Sequence, residues 1–154
     1  MSSSAPLPLS HSVRAVDRVQ PQRDQLRVAH SSFEQACSQP EPSIEQVRSA
    51  LAALRDSFHV HVQFAEGPDG LFVEMQDDAP LESAADVDRL RRDHIIIDSL
   101  IDRTDELLAS DAVGLGDERV SETISELIRL IAQHRRRGAE LLHNVYGVDV
   151  GGSG

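Results

Sequence analysis

Residues 83–108 read SAADVDRLRRDHIIIDSLIDRTDELL. Apolar positions recur in this stretch at steps of three and four residues, which is the period of one face of an α-helix. The residues of that face are Val87, Leu90, His94, Ile97, Ile101, Thr104 and Leu108. The run Ile95–Ile97 is β-branched, but the length and period of the whole stretch favour a helix over a strand. We predict that this helix begins after an N-cap at Ser83.

Three further segments have the same helical period. With the helix above, the predicted helices span residues 21–38, 43–66, 83–110 and 117–146. Pro21 is favourable in a first turn, and Ser43 with Gln46 has the pattern of a capping box. Gly147 is suited to end the last helix.

The links between these helices are short. Residues 67–72 predict a loop with one helical turn. Four helices with short links are typical of an all-α fold, an antiparallel up-down four-helix bundle. We therefore expect a bundle over residues 21–147, preceded by a flexible N-terminal arm (residues 1–20) and followed by a tail (residues 148–154).

Composition restricts the class of protein. Aromatic residues make up 3% of the 154 residues and Trp is absent, so the core must consist of aliphatic side chains, as in helix-on-helix packing. A formal charge of −11 disfavours binding to nucleic acid or to anionic membranes. Residues 1–12 lack the pattern of a signal peptide, no stretch has the length of a membrane span, and Cys37 has no cysteine partner in the chain. These features predict a cytoplasmic protein.

Each predicted helix has one histidine on its apolar face, namely His30, His61, His94 and His134. A buried imidazole needs a partner for each ring nitrogen, either a hydrogen bond or a metal ion. With the predicted bounds and a rise of about 1.5 Å per residue, His61, His94 and His134 lie within about 3 Å of the same depth. The predicted height of His30 along the bundle is about 12–15 Å below that of the other three histidines. His30 joins them only if the first helix is shifted along the bundle toward them. His59 lies on the opposite face of its helix and is expected to face solvent.

Carboxylates near these histidines are candidate ligands, because iron in helical bundles is usually held by carboxylates as well as imidazoles. Asp98 follows His94 by one turn and is the best placed. Glu66 follows His61 by five residues and requires a bend near Gly67. Further acidic residues near the first and last histidines are Glu34 and Glu140.

The chain resembles the hemerythrin-like (HHE cation-binding) family from His30 to Gly152. The resemblance rests on His30 together with FHVH (58–61), EGPDGLF (66–72), LRRDH (90–94), QHRRRGAELL (133–142) and VDVGG (148–152). It implies an antiparallel four-helix bundle around a non-haem di-iron centre, with the four helix histidines as ligands.

Four positions, in three of the helices, depart from that family pattern. Ala65 stands where the second helix of the family usually has Glu, and Gly138 and Ala139 stand where its fourth helix usually has an acidic residue. Asp98 replaces the second histidine that oxygen carriers tend to have in the third helix. These departures leave three alternatives to an oxygen-carrying di-iron centre: a centre with more carboxylate ligands, a mononuclear site, or a bundle without metal.

The leading hypothesis is a metal-binding bundle with iron, in a di-iron centre, held by the four histidines, Glu66 and Asp98. Mononuclear iron or zinc is the alternative cofactor. The role of such a metal-binding protein would be oxygen or redox sensing, iron handling or oxidative-stress protection, with O2 or peroxide as a partner. A second hypothesis is a metal-free interaction module whose histidines bond to Glu34, Asp98 and backbone carbonyls. A third is a di-iron oxidase or peroxidase-like enzyme, although no Ser-His-Asp or Cys-His arrangement is recognisable.

Overall fold

The computed structural model describes residues 14–147, and within this range it contains helices and no strand. A short 3-10 helix, Ala15–Arg18, precedes five α-helices. These are α1 (Val19–Cys37), α2 (Ile44–Glu66), α3 (Leu71–Asp78), α4 (Pro80–Ala109) and α5 (Glu118–Tyr146). The predicted all-α class and the four long helices are confirmed. None of the described helices is long and apolar enough to cross a membrane.

Helix ends follow local chemistry. The Ser43 hydroxyl accepts a hydrogen bond from the backbone N–H of Gln46 at 3.3 Å, as predicted for the start of α2. Asp117 caps α5 in the same way, accepting from Arg119 N–H at 2.8 Å. Gly147 ends α5 in the left-handed region with φ of 68°, which glycine adopts without steric cost.

The link between α2 and α4 differs from the prediction. It contains α3, an eight-residue helix rather than one turn, because Leu71, Phe72 and Met75 bury an apolar face in the core. The prediction that Ser83 is the N-cap of α4 is wrong. Helix α4 begins at Pro80, and Ser83 lies inside it, fully buried, where its hydroxyl donates to the Met75 carbonyl at 3.3 Å.

The predicted arm is partly ordered, because helix begins before Pro21. Glu74 of α3 holds the 3-10 helix: its carboxylate accepts the backbone N–H groups of Ala15 at 2.7 Å and Val16 at 2.9 Å. Ala15 is buried, so this segment covers one end of the core. Residues 1–13 of the predicted arm and the predicted tail, 148–154, lie outside the described residues.

Two apolar clusters form the core. One is built from the long helices alone and includes Phe33, Phe58 and Leu127. The other lies where α3 and the 3-10 helix pack against the long helices, and includes Phe72 and Leu142. Helix α1 packs against α2 and α5, and α4 packs against the same two helices, so the four long helices surround a shared interior.

Candidate metal centre

Three histidines from three helices meet in this interior. One ring nitrogen each of His61 (α2), His94 (α4) and His134 (α5) lies within 4.8 Å of the others. His94 and His134 are buried, and His61 is partly buried. The structure thus brings together the three histidines whose depths agreed in the sequence.

Two of the rings are held from behind by carboxylates. His94 Nδ1 lies 2.5 Å from Glu66 Oε2, and His134 Nδ1 lies 3.1 Å from Asp93 Oδ2. Each carboxylate accepts a hydrogen bond from Nδ1–H, so Nε2 of the neutral ring carries no proton and has a free lone pair. This carboxylate–histidine arrangement is the usual support of a metal-binding imidazole.

The Nε2 atoms point into the space between the helices. His61 Nε2 and His134 Nε2 are 3.0 Å apart, and His94 Nε2 is buried with no hydrogen-bond partner among the described residues. Imidazole nitrogens around a tetrahedral ion at about 2.0–2.1 Å lie about 3.3 Å from one another. Because a buried ring nitrogen without a partner is costly, a metal ion at this point fits the donor set.

Burial and the neighbouring imidazoles favour the neutral forms of His61 and His94. Desolvation, followed by the neighbouring imidazoles, lowers the pKa of His61 well below its usual value. Desolvation also lowers the pKa of His94, to about 4, although Glu66 opposes the shift. Burial by itself raises the pKa of Asp93, but hydrogen bonds from His134 and Arg137 outweigh it and the net shift is downward. Neutral imidazoles beside ionised carboxylates are the forms that bind metal.

Aromatic rings enclose the three imidazoles. Phe58 contacts all three, with ring centroids 5.8 to 6.5 Å away, and Phe72 stacks on His94 at 5.7 Å. Phe58 belongs to one core cluster and Phe72 to the other. The histidines therefore lie between the two clusters, where packing restricts their rotation.

His30 does not join the other three, in contrast to the prediction that it is a fourth ligand. Its Nε2 donates to the Ile128 carbonyl at 3.0 Å, and its Nδ1 lies 3.3 Å from a guanidinium nitrogen of Arg135. Both ring nitrogens are thus satisfied by α5. The low depth of His30 on α1 explains the difference, and His30 has the role of a core residue that joins α1 to α5.

Asp98 is also placed differently from the prediction. Its Oδ1 lies 3.0 Å from His59 Nε2, and both side chains are about half exposed. The turns of α4 direct Ile97 and Ile101 inward, so Asp98 lies at the rim of the α2–α4 groove and not among the three imidazoles. Glu34 and Glu140, the other candidates, are exposed. Glu66 reaches the site at the end of α2, but it contacts the outer nitrogen of His94.

Asp93 also belongs to the site, although it is not among the residues predicted from the sequence. Asp93 directly precedes His94 in the chain. Its side chain therefore points about 100° away from that of His94 around the axis of α4, and toward α5. There it accepts from His134, and Arg137 donates to both of its oxygens at 2.9 and 3.1 Å. The sequence feature that could have indicated Asp93 is the spacing of His134 and Arg137. These residues are one turn apart on α5, so together they present two hydrogen-bond donors to one acceptor.

Openings lie on two sides of the histidines. A cleft between α2 and α4, lined by His59, Glu66, His94 and Asp98, leads to the outer edge of His94. On the other side, His61 and His134 line a small cavity of about 40 Å³, together with Arg23. The histidines therefore border a cleft on one side and a small cavity on the other.

Comparisons of the chain with protein-family models, with curated proteins and with solved structures find no match.

Proposed function

We propose that this protein binds one divalent transition metal through Nε2 of His61, His94 and His134. The convergence of one ring nitrogen from each of these histidines, with carboxylates at Nδ1 of two of the rings, is the observation that carries the proposal. Three protein ligands leave a tetrahedral ion with one open position, the pattern of sites that bind exogenous molecules.

A single ion fits the donors better than two. A di-iron centre in a helical bundle relies on carboxylates that face the ions. Here Glu66 and Asp93 bond to the outer nitrogens of His94 and His134, and Asp98 bonds to His59. A di-iron centre would require Glu66 to leave His94 and turn inward.

Iron is the first candidate for the metal and zinc is the second. Neutral imidazoles suit both ions, and the resemblance to the hemerythrin-like family favours iron. With iron bound, the open position gives O2 or peroxide access to the metal. The role proposed is oxygen or redox sensing, iron handling or oxidative-stress protection.

The proposal includes an antiparallel, hemerythrin-like arrangement of the bundle. Pairs between α2 and α4 support it, because Arg55 bonds to Asp102 at one end and Glu66 to His94 at the other. Hydrogen bonds between α1 and α5 have the same antiparallel order: Arg23 donates to the Arg135 carbonyl, and His30 bonds to the Ile128 carbonyl. In both cases residue numbers rise along one helix as they fall along the other.

Competition with a chromophoric chelator tests the proposal for Fe(II), under anaerobic conditions, and for Zn(II). We expect a dissociation constant at least a hundredfold higher for His94→Gln than for the unmodified chain, because one of three ligands is lost. His59→Gln is the matched control, since His59 is half exposed and remote from the inner nitrogens. Equal affinities for the two variants, or no binding by the unmodified chain, would contradict the proposal and leave the metal-free interaction module.

A further inference from the structure

Arg23 of α1 is a cation in an unusual place. Its Nε atom is buried and has no hydrogen-bond partner among residues 14–147. One other guanidinium nitrogen donates to the Arg135 carbonyl at 3.1 Å, and no carboxylate in this range lies within salt-bridge distance. Asp24, its neighbour in the chain, bonds to Gln20 and pairs with Arg27 instead. A partly buried guanidinium without a counter-ion is unfavourable unless an anion binds beside it.

Gly138 provides the space that this guanidinium occupies. A Cβ atom at position 138 would lie 3.0 Å from Arg23 NH1, closer than side chains ordinarily approach. Glycine inside a helix costs about 1 kcal/mol relative to alanine, so its presence in α5 needs a local reason. Accommodation of Arg23 is such a reason.

Arg23, His61 and His134 line the same cavity, whose volume is about 40 Å³. One water molecule needs about 10–15 Å³ on this measure, so the cavity holds about three water-sized groups. Much of its remaining lining is apolar, including Leu26, Leu90 and Leu142, but Gln22 Oε1 is also buried without a partner. Asp24, Arg27 and Arg135 also line the cavity, so its charged lining has an excess of cations. The cavity thus combines guanidinium groups, an amide and an apolar wall beside the proposed metal ligands.

We infer that this cavity binds a small monoanion of two or three heavy atoms, such as azide, nitrite or hydroperoxide, between the metal and the guanidinium of Arg23. The inference rests on the proposed metal site, and it assigns Arg23 as the residue that selects an anion over a neutral ligand. Burial and the charge of Arg135 lower the pKa of Arg23 to about 10, so the side chain is still a cation at neutral pH.

Azide titration of the Co(II)-loaded protein tests this inference. Co(II) replaces the native metal as a probe, and its visible absorption bands report a change of ligand. We expect Arg23→Met to bind Co(II) and to raise the azide dissociation constant at least tenfold. Arg48→Met is the matched control: it removes one positive charge from an exposed position of α2 and should leave the azide affinity unchanged.

A second variant keeps the arginine. A Cβ atom in Gly138→Ala would lie 3.0 Å from Arg23 NH1, so the guanidinium must shift by a few tenths of an ångström while it keeps its charge. Azide binding should weaken, but less than in Arg23→Met, and this variant guards against a misfolded Arg23→Met. If Co(II) binds but azide binds equally to the unmodified chain, Arg23→Met and Gly138→Ala, the cavity holds only water and the inference is wrong. If the unmodified chain does not bind Co(II), the proposed metal site fails, and this inference fails with it.

Discussion

The carboxylate of Asp93 on α4 lies 3.1 Å from Nδ1 of His134 on α5, and Arg137 donates to both of its oxygens. This contact fixes the tautomer and the orientation of the ring whose other nitrogen faces His61. Glu66 does the same for His94. The site is therefore organised by carboxylates outside the donor set.

The first prediction concerns these outer carboxylates. Asp93→Asn or Glu66→Gln should raise the metal dissociation constant about 10–100-fold, because a neutral amide supports the imidazole less well than a carboxylate. Chelator competition measures the change. Asp98→Asn is the control, since Asp98 contacts His59 at the surface. A loss of affinity in Asp98→Asn as large as in Asp93→Asn would contradict the arrangement.

The second prediction concerns the turn that positions Glu66. A Cβ atom at Gly70 would lie 2.4 Å from the Phe64 carbonyl oxygen and 2.9 Å from that of Ala65. Because these are backbone atoms, Gly70→Ala should lower the free energy of unfolding by about 2–4 kcal/mol. Gly114→Ala, which meets no atom within 4 Å, should change it by less than about 0.5 kcal/mol. Urea denaturation of both variants measures the difference, and similar midpoints would refute the steric argument.

The third prediction separates His30 from the metal ligands. His30 is 5% exposed and bonds to the Ile128 carbonyl across α1 and α5. His30→Ala should lower the free energy of unfolding by about 1–3 kcal/mol through lost packing and a lost hydrogen bond, yet retain one metal per chain. Thermal unfolding and metal analysis check the two parts separately. Loss of the metal from a folded His30→Ala protein would restore His30 to the ligand set.

The fourth prediction concerns pH and the metal-free protein. Burial lowers the pKa of both His61 and His94, the latter to about 4. Below pH of about 6.5 the unfolded chain therefore binds protons that the folded chain does not, so the free energy of unfolding falls as pH decreases from about 6.5 to about 4. Each such histidine contributes up to about 1.4 kcal/mol per pH unit.

Urea denaturation at several pH values measures this dependence. His94→Gln should be less sensitive to pH over the same window, because it removes one of the groups that take up a proton on unfolding. If His94→Gln and the unmodified chain show the same slope, His94 is not held neutral by the fold.

Much of the site could be predicted from helical periodicity. The period of α2, α4 and α5 placed His61, His94 and His134 on inner faces, and the count of residues from each helix end placed them at one depth. Both arguments depend on the nearly invariant rise and turn of an α-helix. The same arithmetic indicated that His30 lay too low, and the structure places it there, bonded to α5.

The remaining features depend on contacts between helices, which periodicity does not describe. Asp98 is one turn from His94, but the packing of α4 against α2 directs it toward His59. Asp93 and Arg23 reach the site from positions beside the apolar face, and their roles depend on which helix lies opposite. Ser83 has the chemistry of an N-cap, yet the packing of α3 lets α4 begin three residues earlier at Pro80.

The proposed site holds one metal ion between three imidazoles. Anaerobic loading with Fe(II), removal of free metal and elemental analysis would test it most directly, with Zn(II) loading in parallel. We expect one ion per chain, retained in His30→Ala and lost in His134→Gln. Three results would contradict a one-ion site: a ratio of metal to chain near zero for both metals, a ratio near two for iron, or retention of the ion in His134→Gln.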